Sequence, residues 1–598
     1  MRKRLLLAVA AASLISLVFA GGAHAAGGSV IGWGENEYGE VGAGTPGVEV
    51  KTPTPVPNLS EVTEVSRGYT HTLALRSNGG VVGWGENEDG QLGDGSTTNS
   101  PVPVPVNGLP SAVAIAAGGY GSIALLPNGT VMAWGYAEAG GLGQGNSTGP
   151  ELCGPSGCSR KPVVVPGLTN IVAIDAGYEY FIALRSDGTV WFWGYDRYGE
   201  SGNGTGTQIG CECIDHPVQV PGVTGAVAIS ADWYLASALL ANGTIKDWGY
   251  NFYAEVGDGS RNNEAPTPCF CSVPVTVSGV SGAKETASGG YHGLALFPGG
   301  AGLSWGYDEY GQLGNGVFMT TGCECFPLPG PISGLAGVRQ VDAGPYSSYA
   351  LLNDGTVRSW GYNGEGALGD GTEENRSTPV PIAAAGVSSV VAAGSYGAEA
   401  IVGPSQILKV ELAGAGSGTV GGDGIVCPAG CENAFPQGAV KSLLAEAKLG
   451  SPFAGFSGAC TGTGVCQVTM TQNQTVTATF GVPKGTAITK AKISSKKKTA
   501  EFQFSTPGAI TGYECKLIRP KKHAKKQGKG GKASKAKKKK AKPPKFVGCA
   551  SGKSYKNLAP GAYTFKVRGL DIVGADATPA TRHFKIKLVK HKKHHKKH

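Results

Sequence analysis

The chain has 598 residues, of which 98 are Gly and 36 are Pro, and only 16% are charged. That length excludes a single core, since cores rarely grow past about 250–300 residues. The composition excludes a mainly helical build, because Gly and Pro break helices and supply tight turns. The net charge of +9 is not evenly spread: residues 484–598 hold 33 Lys and Arg against 4 Asp and Glu, leaving a net of −20 on residues 1–483.

In chain order, Arg2, Lys3 and Arg4 precede an apolar run from Leu5 to Ala20, and Ala23-His24-Ala25 offers small residues for cleavage. This predicts a signal peptide over residues 1–25 and an exported, extracellular or cell-surface protein. No later run of about 20 apolar residues predicts a membrane span. All 14 cysteines are therefore expected to be oxidised.

Trp-Gly then recurs at Trp33, Trp84, Trp134, Trp193, Trp248, Trp305 and Trp360. Each opens a Gly-rich phrase, such as Gln312-Leu313-Gly314-Asn315-Gly316. An Asp-Gly or Asn-Gly step, the signature of two-residue hairpin turns, precedes the Trp-Gly at Asn128-Gly129, Asp187-Gly188, Asn242-Gly243 and Asp354-Gly355. Strand, turn, strand ending at Trp-Gly, loop, then Pro- and Val-rich strand make four short strands per unit, which is a propeller blade. Ala392–Val402 has no Trp-Gly after it, and Trp33 has no strand phrase before it. The two ends are complementary halves of one blade, and pairing them removes the open sheet edges. The expected fold is all-β: a seven-bladed propeller over residues 26–405, followed by two small β domains.

The period near 50 residues, the Trp-Gly pairs and the Gln-Leu-Gly-x-Gly phrases closely resemble the repeat of the regulator of chromosome condensation. The resemblance spans roughly residues 28–403 and implies a seven-bladed propeller. With few catalytic candidates in the chain, the expectation is a secreted or cell-surface binding protein rather than an enzyme, with no cofactor. Inhibition of a secreted enzyme follows from a β-lactamase-inhibiting relative, and guanine-nucleotide exchange from the family's founder. An extracellular hydrolase is a weaker alternative.

Residues 406–482, with Cys427-Pro428-Ala429-Gly430-Cys431, Cys460 and Cys466, resemble the divergent B-repeat of internalins. Residues 483–589 show alternation over Ala500–Phe504 and Ala562–Val567 and resemble an immunoglobulin-like sandwich, with Cys515 and Cys549 as a bridge. Residues 519–545 are mostly Lys, Ala, Gly and Pro, and residues 590–598 are almost all Lys and His. No apolar period occurs in 519–545, so a disordered basic insert is expected there. These charges predict attachment to an anionic envelope polymer.

Most motif-like runs are explained without chemistry. Gly42 to Gly47 matches a dinucleotide fingerprint, but Pro46 and the repeat argue against it. Gly548 to Ser554 is one residue short of a phosphate-binding loop. No catalytic residues and no metal site are assigned. Glu35 and Glu37 read as solvated turn residues rather than a glycosidase pair, and His71 and His292 as structural. Four cysteine pairs, Cys153/Cys158, Cys211/Cys213, Cys269/Cys271 and Cys323/Cys325, fall in corresponding loops. They are disulfide candidates either locally or between neighbouring blades, as are Cys427, Cys431, Cys460 and Cys466.

One pattern stands out as a binding candidate. An aromatic precedes each repeat's Ala-Leu or Ala-Ile end: Tyr69, Tyr120, Tyr178, Trp233, Tyr291, Tyr346 and Tyr396. Blade symmetry sets these seven as a ring on one face. The ring is either a packing layer or a platform for a protein or glycan.

Overall fold

The computed structural model describes residues 27–204, 213–261, 270–321, 325–392, 396–414, 416–437, 439–448, 451–481, 486–506, 512–519, 544–571, 574–575 and 579–588. The predicted signal peptide, most of the basic insert and the Lys/His tail lie outside these residues. Among the described residues, no helix is long and apolar enough to cross a membrane.

Seven antiparallel sheets stand in a ring. The first blade is Val62–Arg67, His71–Arg76, Val81–Gly85 and Ser100–Pro105. The second blade carries a fifth strand, Glu151–Cys153. The seventh blade is assembled from both ends of the repeat region: Ser29–Gly34 pairs with Gly397–Val402 from Ser29↔Val402 to Gly34↔Gly397. Val50–Pro55 and Val387–Val391 flank that pair. Each blade's inner strand packs on the next, and the seventh returns to the first, so the circle closes.

The repeat encodes the seam between blades. All seven Trp-Gly tryptophans are fully buried. Each indole Nε1 donates to a carbonyl seven residues beyond the preceding blade's tryptophan. Examples are Trp84 to Glu40 (2.7 Å), Trp248 to Glu200 (2.7 Å) and Trp360 to Gln312 (2.9 Å). Trp33 to Ala367, at 3.1 Å, completes the circuit. Two residues further on stands a glycine with φ between 62° and 75°, from Gly42 in the seventh blade to Gly369 in the sixth. A Cβ there would lie 2.6–3.1 Å from the next indole. Gly42 is thus a seam residue, and the fingerprint-like run around it needs no nucleotide.

Inner strands have no sheet neighbour on the channel side, so their N–H groups need other acceptors. Side chains of the preceding blade supply them. Ala117 N donates to Ser66 Oγ (2.9 Å), Ala231 N to Asp175 Oδ2 (2.9 Å) and Ala392 N to Asp342 Oδ2 (3.2 Å). His71 and His292 are buried in the seams, with Nε2 at 2.8 and 2.7 Å from the Ser122 and Ser348 hydroxyls. Burial pushes both imidazoles down to about 3, which keeps them neutral and structural.

Residues 405–480 fold into two four-stranded sheets around Leu408, Val410, Phe456, Val476 and Phe480. This module docks on one mouth of the propeller channel. Gly421 lies so close to the fourth blade that a Cβ would stand 2.6 Å from Val227. Val426 joins a core cluster of the fourth and fifth blades, and Arg339 Nη1 donates to Ala434 O (3.2 Å). A cavity of about 240 Å³ remains beneath it, lined by Glu64, Glu285, Gln340, Asp423 and Lys441 among others. The described strands between Ala487–Ser494 and Ala580–Ile586 form a further two-sheet sandwich around Phe502, Phe565 and Val567.

Disulfides join Cys153–Cys158, Cys427–Cys431, Cys460–Cys466 and Cys515–Cys549. Cys213 and Cys325 are also disulfide-bonded, while Cys211, Cys269 and Cys323 lie outside the described residues. The expectation that every cysteine is oxidised needs correction at Cys271. It is a free thiol, pushed up to about 11 by burial, with its sulfur on the Val273 carbonyl.

Candidate functional site

The seven predicted aromatics stand one to five residues beyond the ends of the inner strands. Tyr69 follows Val62–Arg67 and Trp233 follows Ala226–Asp232. The docked module meets the beginnings of these same strands, at Thr63, Glu64, Val65, Ala228 and Ile229. The aromatics therefore mark the opposite mouth of the channel, about 20 Å away at 3.3 Å per strand residue.

At that mouth the structure brings all seven together. Tyr69 contacts Tyr178 (ring centroids 5.6 Å apart) and Trp233 (6.1 Å), and Tyr120 contacts Tyr178 (5.3 Å). Trp233 contacts Tyr291 (5.5 Å) and Tyr346 (6.1 Å), and Tyr346 stacks on Tyr396 (6.2 Å). The turns that carry them are linked through the backbone, as from Tyr69 N to Gly118 O (3.3 Å) and Tyr178 N to Trp233 O (3.1 Å). Every one of the seven is half-buried. A core aromatic at this repeat position would be fully enclosed, as the seven Trp-Gly tryptophans are. The ring instead closes the mouth with one side on its neighbours and the other toward solvent.

A second tier escaped the sequence reading. The residue after Trp-Gly is Tyr136, Tyr195, Tyr250, Tyr307 or Tyr362 in five blades. Its N–H donates to the turn carrying the first-tier aromatic, as Tyr307 N does to Tyr291 O and Tyr362 N to Tyr346 O (both 2.9 Å). The signal that could have found it is the Trp-Gly-Tyr triplet in those five blades. Tyr198, Tyr234, Tyr253 and Tyr310 extend the cluster, through contacts such as Tyr198–Tyr234 (4.9 Å) and Tyr310–Tyr346 (5.4 Å).

In the seventh and first blades the same position holds Glu35 and Glu86, so one side of the mouth is acidic. Glu35 differs from the expected solvated turn residue. It is half-buried, and its Oε2 is enclosed without a hydrogen-bond partner. Burial pushes its carboxyl up to about 7, helped by the charges of Glu40, Glu365 and Glu37 and opposed by Arg67. Glu179, beside Tyr178, also reaches about 7, through burial first and then Asp89. Glu37, Glu88 and Glu138 are exposed, as expected for turn residues. Arg67 is already taken by Glu399 at 2.7 Å, and Arg197 lies over the Tyr198 ring at 5.4 Å.

Raised carboxyls cost stability only where they ionise in the fold. With an unfolded value of 4.5 and a folded value near 7, that cost is absent near pH 4 and complete above pH 7. Glu35→Gln and Glu179→Gln should therefore raise the Tm at pH 8, each by roughly 1 kcal/mol after allowing for partial exposure, and leave it unchanged at pH 4. An equal shift at both pH values, in thermal melts of the two variants, would mean that ionising a buried carboxyl is not the cause.

Among the described residues, no group of three or more His, Cys, Asp or Glu is placed to hold a metal ion.

Residues 27–75, 78–125, 300–351 and 354–399 match the regulator of chromosome condensation (RCC1) repeat. A second form of that repeat matches 62–91, 171–200 and 338–367, and residues 408–482 match the divergent InlB B-repeat domain. The chain is 26% identical over 381 residues to the ultraviolet-B receptor UVR8 of Arabidopsis thaliana, covering 63% of this chain and 70% of the receptor. It is 27% identical over 373 residues to the mouse regulator of chromosome condensation, covering 59% and 84%. It is 30% identical over 365 residues to the human E3 ubiquitin-protein ligase HERC2, covering 60% of this chain but only 7% of that enzyme. Among solved structures, the Prp20p propeller of Saccharomyces cerevisiae superposes with a TM-score of 0.55 at 23% identity, covering 63% of this chain and 92% of that one. Yeast RCC1 (Prp20) bound to Kap60 gives a TM-score of 0.55 at 22% identity, covering 63% and 90%. At these identities the structural likeness shows the fold.

Proposed function

We propose that this chain, a propeller of regulator of chromosome condensation (RCC1) repeats continued by a divergent InlB B-repeat domain, is an exported binding protein whose aromatic mouth receives a protein or glycan partner. One observation carries the reading. Seven half-buried aromatics, one per repeat, meet at the channel mouth that the B-repeat module leaves uncovered. Tyr and Trp give large contact areas at small entropic cost. The similar yeast propeller is bound to Kap60, and binding properties to Gsp1p and histones are described for it. Export rests on the basic and apolar start of the sequence and on the disulfides. The basic C-terminal region then attaches the protein to anionic envelope polymer through lysines that displace counterions.

The test is co-purification of the tagged full chain from its host, with Trp233→Ala and Tyr291→Ala as controls. Each variant should lose about 1–2 kcal/mol of partner affinity while the Tm moves little. A fall of several kcal/mol in stability with unchanged capture would make the ring a packing layer. A captured soluble enzyme would make the partner a target of inhibition.

A further inference from the structure

We propose, resting on the aromatic mouth as the binding face, that its occupant is the lysine-rich segment Lys521–Lys545 of a second copy of this chain. The segment contains 13 lysines and no Asp or Glu, and its other residues are mostly Ala, Gly and Pro. Nothing in it calls for a deep apolar pocket. The mouth offers flat aromatic faces with carboxylates beside them. An ammonium group over a Tyr or Trp face gains cation–π attraction, while the lysine stem covers the ring.

Charge points the same way. Glu35, Glu86 and Glu179 stand within the ring's acidic side, with Glu37, Glu88 and Glu138 exposed around them. The enclosed Glu35 oxygen lacks a hydrogen-bond partner, and burial together with neighbouring carboxylates holds Glu35 and Glu179 above the usual carboxylate range. A cation settling there relieves that repulsion.

The topology favours a second copy over the same one. The chain leaves the propeller after Val402 and enters the module on the far mouth before reaching the sandwich. A 25-residue loop held at both ends reaches at most about 40 Å, half its length at 3.3 Å per residue. The chain thus departs from the mouth opposite the aromatic one, about 20 Å away along the channel. The disulfide Cys515–Cys549 brackets the segment in the sequence, with its Cα atoms 5.8 Å apart. Acidic mouth at one end and basic loop at the other make the contact head-to-tail, which builds open chains of molecules rather than closed dimers.

The experiment is sedimentation velocity on the full exported chain across a concentration series. At about 50 mM salt the mean sedimentation coefficient should climb with concentration, and at about 0.3 M salt, where screening shortens the reach of charge, it should return to the monomer value. Deleting Lys521–Lys545 while keeping Cys515 and Cys549 should abolish the climb. Glu37→Gln, Glu88→Gln and Glu138→Gln together, all exposed carboxylates, should weaken association about tenfold at low salt, in a protein whose thermal melt stays cooperative. A chain that stays monomeric at every concentration overturns the inference. So does association that survives the deletion or ignores the triple variant, or a compact form that does not depend on concentration. A monomeric chain that still captures a host partner through Trp233 and Tyr291 overturns this inference alone and leaves the binding face standing.

Discussion

Deleting residues 28–36 is expected to abolish cooperative folding of the propeller. These residues supply the strand Ser29–Gly34, hydrogen-bonded to Gly397–Val402 on one side and to Val50–Pro55 on the other. They also supply Trp33, fully buried against the sixth blade with its indole on Ala367 O. Without them the seventh sheet splits into two orphan pieces, and the seam with the sixth blade loses its indole. A buried Trp alone is worth about 3–5 kcal/mol, and whole domains have only about 5–15 kcal/mol to lose. The open edge then invites aggregation. Light scattering and thermal unfolding decide it: a monodisperse variant with the parent's Tm contradicts the closure.

Arg67→Met should cost about 3–5 kcal/mol, because it strands a charge in the interior. Arg67 and Glu399 are both fully buried, 2.7 Å apart, joining the first blade to the seventh at the point of closure. Arg67 Nη2 also donates to Glu35 O (2.9 Å), so the pair holds the chain start as well. Burial already pushes Glu399 up to about 7 even with Arg67 beside it. Without Arg67 that carboxyl rises further, and the loss should be greater at pH 8 than at pH 5, where it can protonate. The double variant Arg67→Met, Glu399→Met should recover most of the loss, since replacing both partners leaves no stranded charge. Denaturant unfolding of the three proteins checks this. A single variant as stable as the parent would show the pair to be dispensable.

The propeller was legible in the sequence because each blade repeats the same physical constraints. Trp-Gly marks an indole that must cross a seam, and the Gly nine residues after the Trp marks a place where a Cβ would strike the next one. The closing blade was legible because Trp33 lacked a partner phrase and Ala392–Val402 lacked a Trp-Gly. The aromatic ring was legible as a period, but not its state of burial, which depends on how seven turns lean across a channel.

What the sequence hid is not periodic. The docking of the B-repeat module rests on single close approaches, Gly421 against Val227 and Arg339 on Ala434 O, and no repeat announces them. The Arg67–Glu399 pair joins residues 332 positions apart in two blades that look like the rest. Glu35 looked like any turn carboxylate, and its burial in the fold, with Glu40 and Glu365 close by, sets it apart.

The central claim is that the protein meets its partner at the aromatic mouth. Hydrogen exchange of the full chain, alone and with the partner that co-purifies with it, measures this directly. The account predicts partner-dependent slowing in the turns carrying Tyr69, Tyr120, Tyr178, Trp233, Tyr291 and Tyr346, with the Pro-rich outer strands and the B-repeat module unchanged. Slowing confined to the outer strands Ser100–Pro105 and Arg376–Pro381, or to the module, with the aromatic turns unaffected, would contradict it.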